Sequence, residues 1–288
     1  MGKEFHIVLP SNASSDLYSN NTVSQYTTHL SERIELSGSW QIGLLELIFP
    51  HSWLTLKRGE YFQIYIAKEH IENEPENGGV VPVTQPIILT EGRYQTAQQL
   101  ADHIISLWEA ELEKLHKKKD KPDLPVQNDI LTIEYDPRTE KIKFIPHDRR
   151  YAIKFSQRLA DILAVPSNNE HPEWRQISFY NQDPTDSDII EGTCQIDLER
   201  SRHLIFVYCD LVDYTSVGGV RVPLLRSSII TGSYGELTKE EYHTPIYVPL
   251  RRTVFDTIEV ELRSEDGSLI PFETGVSCLT IHFKQVDD

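Results

Sequence analysis

The sequence predicts a mainly β protein: a jelly-roll sandwich with a small α+β insertion between its fourth and fifth strands. Three observations favour this fold. Apolar and polar residues alternate over most of the chain, which is the period of a strand with one buried face. The predicted strands recur at roughly ten-residue spacing, which is typical of sandwiches and barrels rather than of parallel α/β sheets. A helical segment interrupts the series, and strands resume after it.

The first strands are predicted near the N-terminus. Pro50 ends the long apolar run that begins at Trp40, because proline cannot donate to a strand ladder. The last of these segments is rich in alternating aromatic residues, which favours a strand. The four segments are 5–9, 25–36, 40–49 and 61–66.

The predicted insertion has helical character. Thr96 and Gln99 form a capping box ahead of apolar residues at helical spacing, which predicts a helix that starts there. Ser156 is the expected N-cap of a second, shorter helix. The polar segment 166–187 contains several prolines and is predicted as a loop or linker.

Further strands are predicted after the insertion, at 189–198, 204–212, 220–230, 242–250, 255–262 and 276–283. Two sheets of strands joined by long connections suit a jelly roll. We therefore expect the jelly-roll domain to comprise 1–83 and 186–288, with the α+β insertion domain at 84–185.

Charge and composition disfavour several classes of protein. The formal net charge is −16, so no direct nucleic-acid partner is expected, because phosphate backbones bind basic surfaces. No run of about 18 apolar residues is present, so no membrane span is expected. Residues 1–6 lack the apolar core of a signal peptide. The 3 cysteines are far apart, which argues against a disulfide framework or a zinc knuckle.

The sequence contains none of the motifs GxSxG, GxGxxG, HExxH or the Walker-type phosphate loop. We therefore predict that the chain is not an enzyme, and we assign no catalytic, cofactor-binding or metal-binding residue. Asp183, Asp186 and Asp188 resemble part of a calcium loop, but the required glycine and distal Glu are missing, which favours a solvated loop. Glu259 and Glu261 share one strand face, which is ordinary for a sandwich.

Two segments are candidates for a binding interface. Segment 10–22 is rich in hydroxyl and amide side chains that bond to nearby backbone and fix an irregular path, although a long connection between strands explains it equally well. Segment 209–226 pairs a Gly-Gly turn with an apolar strand flanked by arginines, which suits an interface or a plain sheet strand. The candidate interface residues, with Trp53 added, are Ser11, Asn12, Ser14, Ser15, Tyr18, Asn21, Trp53, Arg221, Val222, Pro223, Leu225 and Arg226.

A series of short motifs runs in order through nearly the whole chain. It comprises residues 10–15, Tyr18, 21–22, Leu30, Ile34, Leu36, Gly38, Trp40, 43–44, Glu46, 50–51, Trp53, 92–94, 208–212, 222–226 and 247–250. This series resembles the penton (minor capsid) proteins of Maverick/Polinton-type elements and adintoviruses. The resemblance implies a jelly-roll penton that forms a homopentamer at icosahedral vertices, with a double jelly-roll major capsid protein as its partner and no cofactor. It also implies a virion location, after synthesis in the host cytoplasm or nucleus without a signal peptide.

A lectin-like or host-attachment sandwich is the alternative function. Aromatic and acidic residues near Trp174 and 183–188 suggest loops that hold a ligand. A hydrolase that uses the acidic pairs is the least favoured hypothesis, because nucleophile, metal and phosphate motifs are missing.

Overall fold

The computed structural model describes residues 3–67, 80–117, 131–147, 151–166, 174–178, 190–199 and 203–286. The chain divides into two compact units: unit 1 is 1–53 with 202–288, and unit 2 is 54–201. The sequence predicted these divisions at 83/84 and 185/186. Each unit has its own hydrophobic core.

Unit 1 contains the strands β1 (Glu4–Pro10), β2 (Gln25–Glu35), β3 (Trp40–Pro50), β12 (Leu204–Cys209), β13 (Thr215–Val217), β14 (Val220–Val222), β15 (Leu224–Ile229), β16 (Leu237–Glu241), β17 (Tyr247–Pro249), β18 (Val254–Arg263) and β19 (Cys278–Gln285). Unit 2 contains β4 (Tyr61–Ala67), β5 (Val80–Pro82), β6 (Ile87–Ile88), α1 (Ala97–Lys117), β7 (Leu131–Asp136), β8 (Lys141–Pro146), β9 (Tyr151–Ser156), α2 (Gln157–Ile162), β10 (Trp174–Ser178) and β11 (Ile190–Glu191).

Two antiparallel sheets form the sandwich of unit 1, and β13 and β14 form a separate two-stranded sheet. The first has the order β1-β19-β3-β16, and β17 pairs with β3 beside β16. The second has the order β15-β12-β18-β2. If β16 and β17 are counted as one broken edge strand, this is the eight-strand order of a jelly roll. The mainly β fold that the sequence predicts is confirmed.

The predicted strand at 61–66 belongs to a different sheet from the one expected. It forms β4, which pairs with β5, β6 and β9 inside unit 2. The jelly roll therefore has three strands before the insertion rather than four. The physical reason is that alternation specifies one buried face of a strand but does not specify the core against which that face packs.

Several further strands differ from the sequence prediction. The strand predicted at 189–198 is reduced to β11 and pairs with β8 in unit 2 rather than with the jelly roll. Pro223 divides the segment predicted at 220–230 into β14 and β15, because it cannot donate to the ladder. A strand, β10, lies inside the predicted loop 166–187. β16 was not predicted, because its sequence is mostly charged and Thr238 is its only buried residue.

The core of unit 1 is a stack of aromatic rings between the sheets. Phe283 on β19 is fully buried, with its ring centroid 4.7 Å from that of Phe5 and 5.8 Å from that of Phe255. Tyr26 on β2 donates its hydroxyl to the Leu9 carbonyl on β1 at 3.0 Å. The Phe5–Phe283 contact joins strands from opposite flanks of the insertion, so the core of unit 1 forms only when both flanks come together.

The core of unit 2 forms around α1 and two small sheets. The Thr96 hydroxyl accepts the Gln99 N–H at 3.2 Å, which is one half of the predicted capping box. The Gln99 side chain accepts the N–H of Gln95 at 2.9 Å rather than that of the cap residue. Ser156 stands at the start of α2, but its hydroxyl donates to the buried Glu60 carboxylate at 2.5 Å and makes no cap hydrogen bond.

The thiols of the chain are expected to react unequally. Cys209 is 1% exposed, and burial raises the pKa of its thiol to about 12, so little thiolate is present at mildly alkaline pH. Cys194 is exposed. We expect a thiol reagent to label Cys194 rapidly in the folded protein, and Cys209 only after denaturation. Labelling kinetics of the protein and of a Cys194→Ser variant check this; equal rates for both thiols would contradict it.

The same burial predicts a loss of stability in alkali. The Cys209 pKa is raised from its ordinary 9.0, so above about that pH the unfolded thiol ionises while the folded thiol stays protonated. Ionisation therefore favours the unfolded state as the pH rises from about 9 to about 12.

Candidate interface surfaces

The two candidate segments lie at opposite ends of the jelly roll. Register places Pro10 beside Cys278, and Pro50 beside Leu237, at one end. The loops at this end, 11–24, 230–236 and 264–277, contain five acidic residues and neither Lys nor Arg; we call it the acidic end. The acidic residues are Asp16, Glu236, Glu265, Asp266 and Glu273. The loops 36–39, 210–223 and 250–253 are at the other end, which we call the hairpin end. The two segments therefore do not form a single site.

The polar loop 11–22 folds over the outer edge of β2. The Asn21 side chain donates to the Thr27 carbonyl and accepts the Thr27 N–H, each at 2.9 Å, as a paired strand would. The Ser14 hydroxyl accepts the N–H of His29 at 2.9 Å. The side-chain to backbone bonds that the composition of this loop predicts are thus present, and they occupy backbone groups that an edge strand otherwise leaves open.

The six candidate residues in this loop differ in exposure. Ser11 and Ser14 are 5% and 7% exposed, and the Ser11 hydroxyl accepts the Ser277 N–H at 3.2 Å. These two side chains stabilise the loop and do not present themselves to a partner. Tyr18 and Asn21 are half-buried, and Asn12 and Ser15 are exposed. Of the six candidate residues in this loop, only Asn12 and Ser15 are therefore exposed.

The bonds of Asn21 predict a specific loss of stability. Asn21→Ala removes two hydrogen bonds to a β2 residue, and we expect it to lower the free energy of unfolding by about 2 kcal/mol. Asn20→Ala is the matched control, because Asn20 is exposed and should change stability by less than about 0.5 kcal/mol. Chemical denaturation of both variants checks the difference. Equal losses would show that the loop does not hold the β2 edge.

The second segment splits into an exposed hairpin and a buried strand. Among the strands that the structure describes, β13 and β14 pair only with each other, through a turn in which Gly218 has φ 56°. Arg221 is exposed and donates to the Tyr214 carbonyl at 3.1 Å, while Val222 and Pro223 are half-buried. The hairpin therefore offers Arg221, with the 61%-exposed Val220, to the surroundings.

The last two candidates of this segment point into the sandwich. Leu225 is 2% exposed and is the extra residue of a β-bulge opposite Val207 and Tyr208. Arg226 faces inward beside it, and its guanidinium lies 3.9 Å from the centroid of the Tyr242 ring. The stack of Arg226 on Tyr242 closes the sandwich where β15 faces β16. Leu225 and Arg226 therefore stabilise the fold of the isolated chain.

The hairpin is tied to its sheet by Asp210. Its carboxylate accepts the Glu259 N–H at 2.9 Å and pairs with Arg252. Burial raises the pKa of the Asp210 carboxyl, although this N–H and the arginine favour the charged form. These contacts fix the base of the hairpin.

Trp53 is a core residue. It is fully buried, with its ring stacked 3.9 Å from that of His51 and at 5.8 Å from that of Phe272. The Trp53 side chain therefore anchors the segment that follows β3 against the jelly-roll core, and it is not available to a partner.

The two long sides of the sandwich differ in how they expose apolar residues. The β1/β2 side is formed by the edge strands β1 and β2; it carries half-buried apolar residues and Val8, which is 52% exposed. The half-buried residues are Phe5, Ile7, Leu30, Ile34 and Leu36. The β15/β16 side is formed by β15, β16, β17 and their connections; it carries several exposed apolar residues. They are Ile229, Tyr234, Leu237 and Ile246, which are 65%, 40%, 67% and 62% exposed.

The exposed apolar residues of the β15/β16 side were not predicted from the sequence. In a segment where apolar and polar residues alternate, the sequence pattern is the same whether an apolar residue lies at an exposed edge or in the core. The one usable signal is the adjacent pair Ile229 and Ile230, since both cannot face the same core from a regular strand.

A groove of about 470 Å³ opens beside the polar loop. Its lining includes Leu17, Tyr18, Gln25 and Glu259. Gln25 donates to Glu259 at 3.2 Å and to Glu261 at 3.0 Å, so the two carboxylates are held in place on the strand face. The groove is thus lined by amide, hydroxyl and carboxylate groups together with the two tyrosines Tyr18 and Tyr26.

No protein-family model and no curated protein sequence matches this chain. A solved structure does. The chain is similar to the selenomethionine-labelled mavirus penton protein, with a TM-score of 0.48 and 13% sequence identity. The alignment covers 99% of this chain and 100% of the mavirus protein.

Within the described ranges, no group of three or more His, Cys, Asp or Glu side chains is arranged to hold a metal ion. Asp183, Asp186 and Asp188 lie outside the described residues, as does the side chain of Trp174. Neither helix of the described part combines the length and apolar character that a membrane crossing requires.

Proposed function

We propose that the chain is a structural virion protein, the penton (minor capsid) protein of a Maverick/Polinton-type element or adintovirus. The observation that carries the proposal is the jelly-roll strand order of unit 1 in a chain whose motifs resemble that family. One fold can host many functions, so the jelly roll alone does not identify a capsid protein. The sequence resemblance suggests the penton role, and the surfaces of unit 1 support it physically.

The surfaces of unit 1 favour assembly. An open sandwich ends in four edge strands, and exposed edges and apolar residues are the features that a soluble monomer normally covers. Because the two sides of the sandwich differ, they suit a heterologous contact, in which one side of a copy meets the other side of the next. Such contacts close into a ring when the rotation that relates neighbouring copies is a whole-number fraction of a full turn. We propose that the ring is a homopentamer at an icosahedral vertex, that its lattice partner is a double jelly-roll major capsid protein, and that it performs no catalysis.

Light scattering after size exclusion tests the proposal. The expected result is a species of five times the chain mass of 33.2 kDa, with five-membered rings in negative-stain images. Co-expression with a double jelly-roll major capsid protein is expected to incorporate the chain into particles. A strictly monomeric protein that never enters particles would overturn the proposal.

Attachment to a carbohydrate is the second candidate function, and the groove beside the polar loop favours it. Its volume of about 470 Å³ falls in the range of ligand sites, and a half-buried carboxylate with amides and two tyrosines suits a neutral sugar. The nearby Glu259, Glu261 and Asp16 disfavour an anionic sugar.

Saturation-transfer NMR with methyl glycosides of galactose, glucose and mannose tests this candidate. We expect transfer from at least one sugar, and its loss in Glu259→Gln but not in Glu273→Gln, an exposed acid at the same end. Absence of transfer from every sugar, or equal transfer in both variants, would rule out the groove as a sugar site.

A further inference from the structure

We propose that the β15/β16 side of one copy docks on the β1/β2 side of the next copy in the ring. This inference rests on the proposed function, because it names the surfaces through which the chain would self-assemble.

The β15/β16 side supplies the projecting apolar groups. Ile229 extends from the outer face of the β15–β12 sheet, and Leu237 from the outer face of the sheet that contains β3 and β16. They are 65% and 67% exposed, and Ile246 on the same side is 62% exposed. Ile229 and Leu237 therefore border this side from opposite faces of the sandwich, and the described residues leave them exposed, so a copy that packs over both edges gains the free energy of their burial.

The β1/β2 side supplies an open edge. The Ser11 N–H donates to the Ser277 carbonyl, and the Lys3 carbonyl accepts the Gln285 N–H, so the alternation of an antiparallel ladder turns the N–H and C=O of Glu4, His6 and Val8 away from β19. Within the described part of the chain, no strand pairs with this edge of β1. The edge also lacks an internal proline, lysine or bulge, which are the usual protections.

The other edges are protected. The polar loop and a bulge between His29 and Ile34 cover β2, and a bulge at Leu225 bends β15. The edge formed by β16 and β17 is broken at Pro245. β1 is therefore the edge at which another chain can approach with least obstruction.

A second copy of the chain is the occupant that fits both sides. If like sides met in a two-fold dimer, the apolar residues of the other side would stay exposed on both copies. A contact between unlike sides covers both sets at every junction of the ring.

The available area is of the right size. The edge strands β1 and β2 have 7 and 11 residues. At about 3.3 Å per residue, and with a sandwich about 20 Å deep including side chains, each side measures roughly 500–700 Å². A stable interface buries roughly 800 Å² per partner, so one sandwich side provides most of what is needed.

Paired variants test the docking of unlike sides. Ile229→Asp with Leu237→Asp places one charge on each sheet of the β15/β16 side, and Val8→Asp with Val254→Asp does so beside the β1/β2 side. We expect each double variant to be monomeric by light scattering while the unmodified protein is pentameric. Ile88→Asp in unit 2 is the matched control: Ile88 is 60% exposed, and the variant should remain pentameric.

Mixing the two double variants is the decisive experiment. Each retains one intact side, so the mixture is expected to form a heterodimer of twice the chain mass and nothing larger. A mixture that stays monomeric, or double variants that remain pentameric, would overturn the docking inference while leaving the pentamer intact. An unmodified protein that is monomeric and never enters particles would instead overturn the proposed function.

Folding of the variants is checked separately. Each double variant should melt within a few degrees of the unmodified protein, because all four substituted positions are exposed. Where an Asp pair lowers the melting temperature further, the corresponding Ser pair replaces it, with the same expected loss of the pentamer.

Discussion

Replacing Phe283 by Ala is expected to lower the free energy of unfolding of unit 1 by about 3–5 kcal/mol. Phe283 is fully buried on β19, and its ring stacks on those of Phe5 and Phe255. Removing the ring leaves a cavity between the two sheets that neighbouring side chains fill only in part. The stacked contacts themselves contribute about 0.5–1.5 kcal/mol each beyond the buried area.

Phe206→Ala is the matched control for this substitution. Phe206 is a half-buried residue of β12, opposite Ser227 and Arg263, so its loss should cost about 1 kcal/mol. Denaturant unfolding of both variants gives the two free energies, and light scattering shows whether assembly persists. Equal costs for the two substitutions would mean that the aromatic stack does not form the centre of the jelly-roll core.

Gly275→Ala is expected to cost about 3 kcal/mol. Gly275 has φ 101°, where an L side chain is strained by about 1–2 kcal/mol. A Cβ atom at this position would also lie 2.8 Å from the Cβ and Cγ atoms of Pro50, whose ring cannot rotate away. The loop before β19 must shift to relieve the contact, and overpacking of this kind adds about 1–3 kcal/mol.

Gly267→Ala separates the two causes. Gly267 also has a positive φ, of 79°, but nothing lies within 4 Å of its would-be Cβ atom. We expect it to cost about 1 kcal/mol, from backbone strain alone. Thermal melts of the two variants measure the difference. If both cost the same, Pro50 would not restrict the loop at Gly275.

Local chemistry in the sequence was a reliable guide where a residue interacts with its near neighbours. The composition of the polar loop predicted side-chain bonds to nearby backbone, and Asn21 and Ser14 make them. The capping signal at Thr96 marked the start of α1. Pro50 ended β3 as proline chemistry requires.

The candidate interface was less predictable, because exposure depends on register. Leu225 was selected from its sequence neighbours, but a one-residue bulge turns it into the core and places Arg226 opposite Val207. A bulge adds one residue to one strand only, so the alternation on either side of it does not reveal it. Trp53 lies in the core, although it was among the candidate interface residues.

By itself, the sequence determined that the protein is mainly β, that helices interrupt the strand series, and where many strands begin and end. These properties follow from side-chain period, turn residues and caps, which act over a few residues. Only the tertiary structure decided that β4 belongs to unit 2, that the two candidate segments lie at opposite ends, and that Ile229 and Leu237 are exposed. Each of these depends on which distant strands pair, and pairing is fixed by the packing of the whole core rather than by any one segment.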